Sequence, residues 1–85
     1  MKPYNPTEKD LLFFRNLIRL MRDGGMWTLP SAAMTYQFNK KEQILRLVSP
    51  AWDATPTTML SHHHNHCILA KLGWKVLPEI NWDLI

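Results

Sequence analysis

Apolar positions near the start of the chain fall at helical spacing. Leu11, Phe14, Ile18 and Met21 share one face, and Phe13, Leu17 and Leu20 widen it. Thr7 ahead of Glu8-Lys9-Asp10 reads as an N-cap, with Asp10 in a capping-box position. Gly24-Gly25 supplies the stop, so the spacing predicts a helix from Glu8 to Asp23. The period then shortens. Met26-Trp27-Thr28-Leu29 reads as a short strand stopped by Pro30. In Met34-Thr35-Tyr36-Gln37-Phe38 apolar and polar residues alternate, with Met34, Tyr36 and Phe38 on one face. Asn39-Lys40-Lys41-Glu42 is a polar turn, and Gln43 to Val48 resumes a strand, which predicts a hairpin across residues 33–48. Ser31-Ala32-Ala33 is also compatible with the opening of a short helix.

Residues 49–58 read as a loop around Trp52, which its Pro-rich setting marks as exposed and as a candidate interaction residue. Thr55-Pro56 has the form of an N-cap followed by proline at the first helical position. A second helix to Leu72 follows, capped by Gly73, with Ile68, Leu69 and Leu72 on its apolar face and Ser61 and Asn65 continuing the line. Trp74-Lys75-Val76-Leu77 is a last strand closed by Pro78, and the apolar tail Ile80 to Ile85 is expected to pack back on the body. Gly25 to Pro30 and Gly73 to Pro78 echo each other, the pattern of a helix handing over to a strand. The order α-β-β-β-α-β predicts a small α+β fold: a single domain over residues 1–85 with a three- to four-stranded sheet packed with two helices. A chain of 85 residues holds one domain with a thin core.

Charge changes the picture by where it lies. The net charge is +3, and residues 1–46 hold eight of the ten Lys/Arg but four of the seven acids. Arg15, Arg19 and Arg22 recur at i, i+4 and i+7, a basic stripe on helix 1, to which Lys40, Lys41 and Arg46 are added as candidate phosphate contacts. DNA or RNA is therefore a candidate partner; a solvated helix face accounts equally for any single arginine. A second class of partner is a protein, or a second copy of the chain in a homodimer, held by exposed Trp and Met side chains. No apolar run approaches a membrane span, so no membrane partner is expected. The single cysteine, Cys67, makes no intrachain disulfide, which fits a reducing, cytoplasmic setting.

Ser61-His62-His63-His64-Asn65-His66-Cys67 is the most unusual stretch. On a helix, His62 and His66 lie one turn apart, as do His63 and Cys67. Imidazole and thiolate ligate zinc, so His62, His63, His66 and Cys67 are candidate metal ligands. Placement in the first turn of the helix would keep the rings neutral through the helix dipole. The same histidines at a helix N-terminus would also flank a phosphate. At most two or three of them converge on one ion, so a zinc shell would need Asp53, Glu79, Asp83 or another subunit. No serine, cysteine or carboxylate stands at a recognisable nucleophile spacing, so no catalytic residue is assigned.

The last third carries a resemblance. His66-Cys67-Ile68-Leu69-Ala70-Lys71-Leu72-Gly73-Trp74-Lys75-Val76-Leu77, followed by Ile80-Asn81-Trp82-Asp83-Leu84, resembles the closing helix–strand of RAP domains and of very-short-patch-repair endonucleases. The element order is also similar to that of the restriction-endonuclease-like core. The resemblance implies a central sheet with a helix on each side and nucleic acid as partner. It further implies an acidic residue and a Glu-x-Lys pair for catalysis. The strand Gln43 to Val48 has no such pair, and Glu42 is not followed by lysine two positions on. What the resemblance then implies is a binding version without the nuclease chemistry.

Overall fold

The computed structural model describes residues 2–28, 35–48, 56–79 and 81. Helix α1 spans Glu8–Leu20. Its start is a complete capping box: the Thr7 hydroxyl accepts from the Asp10 N–H at 3.1 Å, and the Asp10 carboxylate accepts from the Thr7 N–H at 3.0 Å. It ends three residues short of Asp23. Met21 already has extended backbone angles (φ −75°, ψ 139°), so Arg22 lies beyond the helix and the basic stripe on α1 proper stops at Arg19. The two glycines then build a turn and a bulge together. Gly25 N–H donates to the Arg22 carbonyl at 3.1 Å, across a Gly24 with φ +79°. A positive φ at the third position is what a type II turn requires. Gly24 N–H donates to the Phe38 carbonyl while Phe38 N–H donates to the Gly25 carbonyl, so two residues oppose one, as in a glycine bulge.

From that bulge the chain enters a four-stranded sheet in the order β1-β2-β3-β4. Strands β1 (Met26–Thr28), β2 (Thr35–Asn39) and β3 (Ile44–Leu47) run antiparallel in sequence. Strand β4 (Lys75–Leu77) lies parallel to β3, reached through helix α2 (Pro56–Lys71). The expected hairpin is present, with Asn39 opposite Ile44. Its turn is held by Glu42 N–H donating to Asn39 Oδ1 at 3.0 Å, and Gln43 closes it in the left-handed region at φ +56°. The Gln43 carbonyl accepts from Lys75 N–H at 2.9 Å, tying the start of β4 to this turn.

Helix α2 ends in a Schellman motif: Trp74 N–H donates to the Leu69 carbonyl and Gly73 N–H to the Ala70 carbonyl, with Gly73 at φ +89°. Leu69 and Trp74, the two ends of that motif, are both buried. Trp74 thus belongs to the helix cap, one residue before β4, and its ring stacks on Phe38 at 4.8 Å between centroids.

Register and burial assign the two sheet faces. Trp27 opposes Tyr36, Phe38 opposes Leu45, and Leu45 opposes Val76, and all five are buried. Phe14 of α1 meets Trp27 with ring centroids 6.2 Å apart, and His62 of α2 meets Tyr36. Leu11, Ile68 and Leu69 complete the core. Both helices therefore cover the same face, where the resemblance implied one on each side. On the other face Met26, Gln37, Arg46 and Lys75 are exposed, and no described element covers them. The architecture is two-layered, α on β. The segments around Trp52 and Trp82, Met34 and the stretch Ser31 to Ala33 lie outside the described residues, as does the tail apart from the exposed Asn81. No helix among the described residues is long and apolar enough to cross a membrane.

Candidate functional site

Two segments far apart in sequence meet at one end of the sheet. Lys40 N–H donates to Asp23 Oδ1 at 2.8 Å, and the Lys40 ammonium reaches the Arg19 carbonyl at 3.5 Å, where a cation suits the C-terminal end of α1. This joins the helix end and glycine turn to the β2–β3 turn. Beside the junction lies a concavity of about 350 Å³. Lys41 and Arg46 line it, together with Gln37, Asn39, Asp23 and Glu42. Arg46 sits directly opposite Gln37 across the β2–β3 ladder, which places both on the outer face.

Of the six basic residues read from the sequence, Lys41 and Arg46 thus line the concavity, whereas the Lys40 ammonium turns to the Arg19 carbonyl and the Phe38 ring, and the Arg19 guanidinium reaches Asn16. Arg22 occupies the turn leading into Asp23. Arg15 is exposed one turn upstream on α1, away from this junction. Gln37, Asn39 and Asp23 were missed by sequence reasoning. The signal for Gln37 was its polar place in the Tyr36-Gln37-Phe38 alternation, which puts it opposite the core.

The histidines separate into distinct environments. His62 is 1% exposed, and the Tyr36 hydroxyl lies 3.0 Å from its Nδ1 and 3.1 Å from its Nε2. Burial, helped by the neighbouring His66 and His63, holds the His62 imidazole down at about 4, and burial alone pushes the Tyr36 hydroxyl up. His66 is lowered for the same first reason, and its ring meets that of His62 edge to face. His63 instead faces the N-terminal segment. Its Nε2 donates to the Lys2 carbonyl at 2.9 Å, and Cys67 Sγ lies 3.8 Å from the ring. Both expected i, i+4 pairs form, but they point to different places. Among the described residues no three His, Cys, Asp or Glu side chains converge as a metal shell does. The cluster also lies in the middle of α2 rather than in its first turn, so burial, and not the helix dipole, keeps His62 neutral.

No protein-family model, curated protein or solved structure matches this chain.

A second cleft, of about 260 Å³, opens between α1, α2 and the N-terminal segment. Tyr4 stacks on His64 at 4.0 Å between centroids, and its hydroxyl donates to the Asp10 carboxylate of the capping box. That hydrogen bond raises the Tyr4 hydroxyl and lowers the Asp10 carboxyl. The consequence is structural: Tyr4 ties the chain before α1 to the first turn of α1 through the Asp10 carboxylate and to α2 through the His64 ring.

Proposed function

We propose that this domain is a binding module for nucleic acid, seating a strand across the outer face of its sheet, which no described element covers. The observation that supports this best is the placement of Lys41 and Arg46 in one concavity on that face. Cations spaced along a shallow surface contact successive phosphates, and side-chain amides such as those of Gln37 and Asn39 add hydrogen bonds to sugars or bases. The concavity, rather than the resemblance to RAP domains and repair endonucleases, supports the reading. No residue is given a catalytic role.

The test is fluorescence anisotropy of labelled single- and double-stranded DNA and RNA at about 50 mM and 200 mM salt. Binding is expected to weaken steeply with salt, and Lys41→Ala and Arg46→Ala should each flatten the log–log slope by about 0.7–0.9. Absence of binding at the lower salt, or slopes unchanged in both variants, refutes the proposal.

A second reading is favoured by a different observation. Phe13 and Leu20, seven residues apart along α1, are 54% and 80% exposed, and Leu12 is 59% exposed. Such a helix face suits a protein partner or a second copy of the chain. Trp27 and Trp74 take no part in it, because both are buried in the core. Light scattering across a hundredfold range of concentration distinguishes a dimer, which Leu20→Lys should dissolve, from a monomer.

A further inference from the structure

The concavity on the outer sheet face carries opposite charges that do not neutralise one another. Among the described residues the one ion pair joins Lys75 to Glu79, both exposed and outside the concavity. Lys41, Arg46 and Glu42 line the same space of about 350 Å³ without pairing. Asp23 is partly engaged, since its Oδ1 accepts from Lys40 N–H. The Glu42 carboxylate accepts no hydrogen bond from any described residue, although its own N–H is anchored to Asn39. Cations and an open carboxylate lining one space fit a ligand that carries both an anionic group and hydrogen-bond donors. The volume of that space is at the lower end of the range of small-ligand sites, which begins at about 300 Å³.

Resting on the nucleic-acid reading, we infer that this concavity receives one unpaired guanine nucleotide of a single strand, its base against Glu42 and its phosphate against Arg46 and Lys41. An ionised carboxylate accepts two parallel N–H donors. Guanine is the base whose Watson–Crick edge presents two adjacent donors, the ring N1–H and the exocyclic amine. Uracil and thymine present one N–H between two carbonyl oxygens, which a carboxylate repels. Adenine and cytosine present one amine beside an acceptor. In a duplex that edge is occupied by pairing, so only an unpaired base fits, the usual situation in sequence-dependent RNA recognition. Glu42 and Asp23 would also oppose a duplex backbone laid over this end of the sheet.

The experiment uses the full chain and two labelled single-stranded RNA octamers, one all uridine and one with a single central guanosine, at the same low salt. The guanosine strand is expected to bind roughly tenfold tighter, the effect of one good bidentate contact. Glu42→Gln should bring the two affinities to within about twofold, since an amide replaces one of the two acceptors by a donor. Glu42 is exposed and its structural hydrogen bond is made by the backbone, so the melting temperature of the variant should match that of the native chain. Equal affinity for the two strands overturns the guanine assignment while leaving the nucleic-acid reading in place. A guanosine preference that survives Glu42→Gln overturns the role of Glu42. Failure of both strands to bind overturns the guanine assignment, and failure of the DNA and duplex probes as well overturns the nucleic-acid reading.

Discussion

Acidification to pH 5 should unfold this domain more readily, through His62. Its imidazole is 1% exposed, faces the Tyr36 hydroxyl from α2, and has His66 and His63 as like-charged neighbours if all three titrate. Its ionisation lies at about 4 in the folded chain against an ordinary 6.5. Below pH 6.5 the unfolded chain therefore binds a proton that the folded chain refuses. The sign follows: stability is fully present above 6.5, is lost as the pH falls, and levels off below about 4. The whole gap corresponds to about 3 kcal/mol, of which about 2 kcal/mol is lost between pH 7.5 and pH 5.0. For a domain of this size that lowers the melting temperature by about 8–16 °C. Thermal melts followed by far-UV circular dichroism at the two pH values measure it. His62→Gln keeps a hydrogen-bonding group against Tyr36 but cannot ionise, so its loss on acidification should be smaller by about 2 kcal/mol. The residue left over belongs largely to His66, which burial lowers in the same direction. A native chain equally stable at both values, or an undiminished loss in His62→Gln, would refute the reasoning.

Other consequences follow from the backbone. An added Cβ at Gly24 meets nothing within 4 Å, so Gly24→Ala isolates the cost of φ +79° for an ordinary residue. It should destabilise by about 1–2 kcal/mol, read from the urea midpoint, with Gly24→Asn losing less. Gln43 holds φ +56° without being glycine, and its side chain is exposed. Gln43→Gly should accordingly raise stability by up to about 1 kcal/mol, and a fall in the midpoint contradicts this. Thr7→Ala removes the capping hydroxyl of α1 and should cost about 1 kcal/mol, measured by chemical denaturation at constant m-value.

Much of the fold was legible because local chemistry and the final structure agree. The capping box at Thr7, the glycine that caps α2 and the alternation of Tyr36, Gln37 and Phe38 each act within a few residues, and each appears in its expected place. The end of α1 was misplaced because Met21 continues the apolar period while its backbone has already left the helix. The burial of His62 was missed for a related reason. That histidine shares the line of Asn65 and Leu69 at i+3 and i+7, so it takes a core position, but imidazole does not register as apolar. The helices' common face was likewise beyond any pattern, since element order does not say which side a helix covers. The candidate site was half visible. Lys41 and Arg46 stand out as charges; Gln37, Asn39 and Glu42 join them through the hairpin pairing, and Asp23 only because the glycine bulge brings the end of α1 against β2.

The parallel pairing of β3 with β4 sets an order of events during synthesis. Strands β1, β2 and β3 zip together through nearby partners, whereas Ile44 must wait for Lys75, and Leu45 for Val76, some thirty residues later in the chain. Pairings this remote in sequence form late. Until the ribosome has released residue 77, β3 presents a bare row of N–H and C=O groups beside an apolar face that still lacks α2. That interval is when a nascent hairpin would recruit a strand from another chain. A chaperone that shields the β3 edge should therefore raise the folded yield more than one acting on the finished domain.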